Sequence, residues 1–96
     1  MKTEIVNKIR KNHFITDSKI GYQYRENYAF EMARAASVTI DKLKEEWSEG
    51  NILEYLDRVG CYPLWVYRTV VSEAIDEVKK YRIASDRYLY DIARRM

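Results

Sequence analysis

Between Ala29 and Trp47 the chain sets an apolar residue at alternating steps of four and three: Ala29, Ala33, Ala36, Ile40, Leu43 and Trp47, with Tyr22 one heptad ahead of Ala29. These steps average about 3.6 residues, one helical turn, so the side chains line one seam of a long helix. A strand would scatter them over both faces. Alanine in the first half lets a neighbouring backbone come close, and larger residues fill the second half. The seam is expected to pack within the chain, although a homodimer would show the same pattern.

The rest of the sequence is also helical in pattern. Three glycines and one proline in 96 residues leave few breakers, and no stretch alternates apolar and polar residues long enough to make a strand. The expected fold is all-α, a compact bundle of about five helices forming one domain over 1–96, with one long central helix over about 22–48. The first helix runs from about Thr3 to His13, with Ile5, Val6 and Ile9 inward. Gly50 is expected to close the central helix, and Asn51 to cap a short third helix ended by Gly60. The fourth starts at Pro63, whose missing N–H has no intrahelical use there, and runs to about Tyr81. Ser85 or Asp86 would then cap a fifth helix ending at Arg94 and Arg95.

The central helix carries a second apolar strip, Tyr24, Tyr28, Ala35 and Val38, about a third of a turn from the first. Two strips require two neighbours. Phe30 points away from both and lies near Arg34. In the fourth helix Leu64, Tyr67, Val71, Ala74, Ile75, Val78 and Tyr81 share a face, with Val70 at its edge. Trp65 falls nearly opposite, among Arg68, Thr69 and Ser72. Because an uncovered indole forgoes a large apolar gain, it is expected to lie under the Gly60–Tyr62 loop or under a partner.

Chemistry-bearing residues are sparse. One cysteine excludes an internal disulfide and a Cys-rich zinc site. Cys61 reads as a small buried residue, and a reducing, cytoplasmic setting is expected. His13 is the only histidine, and no motif places a nucleophile with it. Glu45, Glu46 and Glu49, like Glu73, Asp76 and Glu77, read as wet helix faces. No enzyme activity, catalytic residue, metal or cofactor is expected. Nor is a membrane span or signal peptide, since charges interrupt every apolar run.

Net charge is +2, distributed as +4 over residues 1–25, −4 over 26–60 and +2 over 61–96. This lacks the concentrated basic footprint of a strong duplex binder. One local signal favours nucleic acid nonetheless. The run from Phe30 to Trp47 can be threaded as a helix-turn-helix, with Met32, Ala33 and Ala36 packing the first helix, Ser37 and Val38 as the turn, and Leu43 in the reading helix. Ser37 stands where glycine usually turns the chain. Asp41, Glu45 and Glu46 would repel phosphate, and the same residues fit an unbroken seam.

Nine tyrosines are too many for so small a core to hide, and tyrosine suits interfaces. On the last helix Arg87, Tyr90 and Arg94 form a flank that either docks a partner or is solvated, with Asp91 paired to Arg87 and Arg95. The expected function is therefore non-enzymatic: an inhibitor, adaptor or small subunit docking on a larger protein or complex through Trp65, Arg68, Arg87, Tyr90, Arg94 and Phe30. The alternative is a DNA- or RNA-binding regulator using Thr39, Lys42 and Lys44, or the basic residues Lys8, Arg10 and Lys11.

Overall fold

In a computed structural model, the backbone is described for residues 2–14 and 22–95, and the side chains for 2–14 and 25–81. The described residues form four helices: α1 (Lys2–Asn12), α2 (Tyr22–Lys44), α3 (Glu49–Val59) and α4 (Leu64–Arg95). The all-α class holds, with four helices in place of five. Residues 64–95 contain neither glycine nor proline, so the good capping residues Ser85 and Asp86 meet no breaker, and the helix runs through them.

Ion pairs and ring contacts fix the helix directions. Lys2 Nζ lies 2.9 Å from Asp41 Oδ1, and the His13 and Tyr28 ring centroids are 6.1 Å apart, so α1 runs antiparallel to α2. Lys8 reaches Glu77 at 2.9 Å while His13 reaches Glu73 at 2.8 Å, which sets α1 antiparallel to α4 as well. Short turns on both sides of α3 make it antiparallel to α2 and α4. Exposed pairs such as Lys2 with Asp41 are worth about 0–1 kcal/mol each, so they mark the register more than they hold it.

The holding comes from the core. Ile5 and Ile9 of α1, Met32, Ala35, Ala36 and Ile40 of α2, Ile52 and Leu56 of α3, and Val66, Tyr67, Val70, Val71, Ala74 and Val78 of α4 form one buried cluster. Each large aliphatic side chain among them contributes about 1.5–3 kcal/mol by leaving water. On α2 the two apolar strips are joined by Met32 and Thr39, both fully buried between them. On α4 the buried arc is turned toward Val66 and Val70, leaving Leu64 and Ile75 half-buried.

The turn from α2 to α3 differs from expectation. α2 stops at Lys44, the Glu46 N–H donates to Leu43 O at 3.0 Å, and the Trp47 N–H donates to Lys42 O at 3.0 Å. This bonding is a Schellman finish, which needs a left-handed residue at its penultimate position. Glu46 takes that conformation with φ 66°, where glycine would be favoured. Ser48 then caps α3, its Oγ accepting the Asn51 N–H at 3.2 Å. Asn51 is thus not the cap, and Gly50 lies in the first turn of α3.

Gly60 ends α3 as expected, but with extended backbone (φ −86°, ψ 166°). Its role is space. A Cβ there would overlap the Tyr67 hydroxyl and ring and lie 2.6 Å from Leu56 O. Gly60→Ala is expected to lower stability by about 2 kcal/mol through overpacking. Glu46→Gly is expected to raise it by about 1 kcal/mol by relieving the left-handed backbone. Urea unfolding of the two variants beside the parent chain checks both signs.

Candidate partner-binding surface

Trp65 sits near the start of α4 on the face opposite the core, and 68% of its surface is exposed. The Gly60–Tyr62 loop, one of the two covers expected for it beside a partner, is held elsewhere, and the cause is Tyr67. This side chain is fully buried, and its hydroxyl accepts the Cys61 N–H at 3.0 Å and, at the longer 3.4 Å, the Tyr62 N–H. The same hydroxyl donates to Glu31 Oε1 at 2.9 Å. One donor and two acceptor positions exhaust a phenol. Tyr62 also sets its ring edge-on against Tyr28 of α2, with centroids 5.2 Å apart. The 60–63 turn is thereby drawn toward α2, which leaves Trp65 bare.

Glu31 is the charged centre of this network. Arg34 grips both of its oxygens, Nη2 to Oε1 at 2.7 Å and Nε to Oε2 at 3.0 Å, a bidentate fork between neighbouring turns of α2. Arg34 holds the Glu31 carboxyl below its ordinary range, with the Tyr67 hydrogen bond adding to the effect against the opposing pull of burial. Burial, and then the hydrogen bond to Glu31, push the Tyr67 phenol up to about 12.

Arg68 is exposed one turn further along α4. Val59, the last residue of α3, is 46% exposed. Phe30 is 61% exposed on the outer face of α2. Among the described residues, neither Phe30 nor Trp65 takes part in a ring-ring contact. Arg87, Tyr90 and Arg94 belong to α4 by their backbone, and their side chains lie outside the described residues. Cys61, expected to be buried, is exposed, because the turn offers its N–H and not its side chain to Tyr67.

The nucleic-acid alternative loses its helix-turn-helix. α2 continues without a break through Ser37 and Val38, so no turn separates a reading helix. Thr39 is fully buried, its hydroxyl donating to Ala35 O at 2.8 Å, and cannot touch a ligand. Lys42 folds over the Trp47 ring at 4.4 Å, and Lys8 is paired with Glu77. Lys44, Arg10 and Lys11 are exposed.

Sequence reasoning missed one constellation. His13 Nε2 donates to Glu73 Oε1 at 2.8 Å across the α1/α4 groove, in a cleft that Asp76, Glu77 and Lys80 also line. Lys8, followed by Lys80, holds Glu77 below the ordinary carboxylate range. Sixty positions separate His13 from Glu73, and no local spacing signals such a pair. The pair orients an imidazole, but among the described residues no hydroxyl or thiol lines the cleft. Among the described residues, no group of three or more His, Cys, Asp and Glu is arranged to hold a metal ion. Within the same residues no helix is long and apolar enough to cross a membrane.

The Tyr67 network has a defined pH signature. A phenol whose folded value lies above its ordinary 10.0 contributes stability that is complete below pH 10 and declines as pH rises toward about 12. Glu31, lowered from 4.5, contributes above that value and loses its contribution as pH falls through its lower folded value. Tyr67→Phe is expected to cost about 1–3 kcal/mol at neutral pH, by leaving the Cys61 N–H and Glu31 short of a partner. It should also flatten the alkaline limb and speed amide hydrogen exchange at Cys61 and Tyr62. Denaturant midpoints against pH, together with exchange rates at those two amides, check it.

No family model, curated protein or solved structure matches the chain.

Proposed function

We propose that the chain is a non-enzymatic binding protein that docks on a larger macromolecular partner, an inhibitor, adaptor or small subunit, with Trp65 as the anchor. The observation that carries this reading is the bare indole beside a loop that is pinned away from it. A Trp side chain covers 150–250 Å², and removing the exposed share from water at about 25 cal/mol per Å² contributes roughly 3 kcal/mol to association. Arg68, one turn away on the same helix, supplies the polar margin typical of an interface anchor. Phe30 is a separate point on α2 whose contribution is tested independently.

The test compares quantitative affinity capture from the source cell by the parent chain with capture by Trp65→Ala, Arg68→Ala and Phe30→Ala, after circular dichroism shows each folded. Trp65→Ala should weaken capture of a specific partner by about 2 kcal/mol or more, roughly 30-fold. Undiminished capture would remove Trp65 from the interface. Sedimentation of the same variants shows whether the partner is a second copy of the chain, in which case Trp65→Ala returns a dimer to monomer. Titration with duplex DNA, single-stranded DNA and structured RNA at low and physiological salt tests the competing class. Tight, steeply salt-dependent binding that ignores Trp65 would overturn the proposal.

A further inference from the structure

A second surface lies at the opposite end of α3, where α2 turns into it. The heptad seam ends at Trp47, and the Schellman finish sets this ring against Tyr55 of α3, with centroids 6.2 Å apart and planes at 83°. These rings already hold cations. Lys42 Nζ lies 4.4 Å from the Trp47 ring and 5.2 Å from that of Tyr55, and the Arg58 guanidinium carbon is 5.8 Å from Tyr55. Beside them opens a cavity of about 360 Å³ lined by Glu46, Trp47, Asn51, Glu54, Tyr55 and Arg58.

The chemistry of this lining selects one kind of ligand. Aromatic faces attract a cation, and carboxylates reward one that also donates hydrogen bonds. A guanidinium does both, because its plane stacks while its N–H fork reaches oxygen. A quaternary ammonium could use only the rings, and an anion would meet the carboxylates of Glu46 and Glu54, against which Arg58 is the one cation among the described lining residues. Glu46, at the left-handed position of the Schellman finish, places a carboxylate on the rim. We propose that this corner binds an arginine side chain presented by a polypeptide partner, stacked on Trp47 and Tyr55 and hydrogen-bonded by Glu46 and Glu54. The site is distinct from Trp65, and neither proposal depends on the other.

The experiment uses the full chain carrying Trp65→Phe, so that Trp47 is the only indole reporting. A short acetylated, amidated peptide with one central arginine is titrated while Trp47 fluorescence and the Trp47 indole N–H shift are followed. Saturable binding in the millimolar range is expected, as befits one side chain. Glu54→Gln and Glu46→Gln should each weaken it about fivefold, for loss of a charge-assisted contact. Lys42→Ala should tighten it to a similar degree by taking the resident ammonium off the rings. Glu46→Gly should bind more weakly while melting higher. No saturable change at Trp47 would overturn the proposal, as would equal binding by the citrulline peptide, which keeps the shape and loses the charge. A trimethyl-lysine peptide binding as tightly as arginine would overturn the guanidinium assignment.

Discussion

The Tyr67 hydroxyl is the interaction on which the rest of the architecture turns. It sits inside the bundle, yet its hydrogen bonds join two other parts of the fold: the turn from α3 to α4 through Cys61 and Tyr62, and α2 through Glu31. A buried polar group of this kind is tolerable only when fully satisfied. Satisfaction here requires Gly60 to leave room, Glu31 to remain charged in the grip of Arg34, and the turn to fold toward α2. The bare Trp65 follows from these requirements, because a loop cannot be pinned inward and also drape over the outer face of α4.

The helical class and much of the core were legible because periodicity and burial are two expressions of one geometry. Ile5, Ile9, Ala29, Ala33, Ala36 and Ile40 are buried as the spacing of their helices requires. Helix ends were less legible, since an end depends on competition between caps and breakers. Gly50 looked like a stop and Asn51 like a start, but Ser48 caps as well as Asn and Glu46 accepts the left-handed conformation that glycine would have taken. At Ser85 and Asp86 the opposite occurred: caps without a breaker do not end a helix.

Side chains of the candidate surfaces were legible only where the helix alone decides their direction. Trp65 lies opposite the core for that reason, and so does Phe30. Thr39 looked polar and reachable, but a hydroxyl that bonds back to Ala35 O carries no unmet need into the core and can be buried there. Cys61 looked small and apolar, yet its placement is dictated by which backbone N–H groups Tyr67 takes. The His13 and Glu73 pair depends on the register between α1 and α4, which is set by core packing and leaves no trace in local sequence.

The two surfaces are related through α3. It has eleven residues, and at about 1.5 Å per residue it separates the Trp47 corner from the Trp65 turn by roughly 16 Å. One end offers an apolar anchor with a cation beside it, and the other offers rings rimmed by carboxylates. A partner that reaches only one end gains a single weak contact. A partner that spans α3 with an apolar pocket at one end and an arginine at the other makes its second contact intramolecularly, at a high effective concentration. Selectivity would then reside in the spacing, because a partner with the right groups at the wrong separation gains no such advantage. On the two proposals above, α3 between its Ser48 cap and the Tyr67-pinned turn would set that spacing.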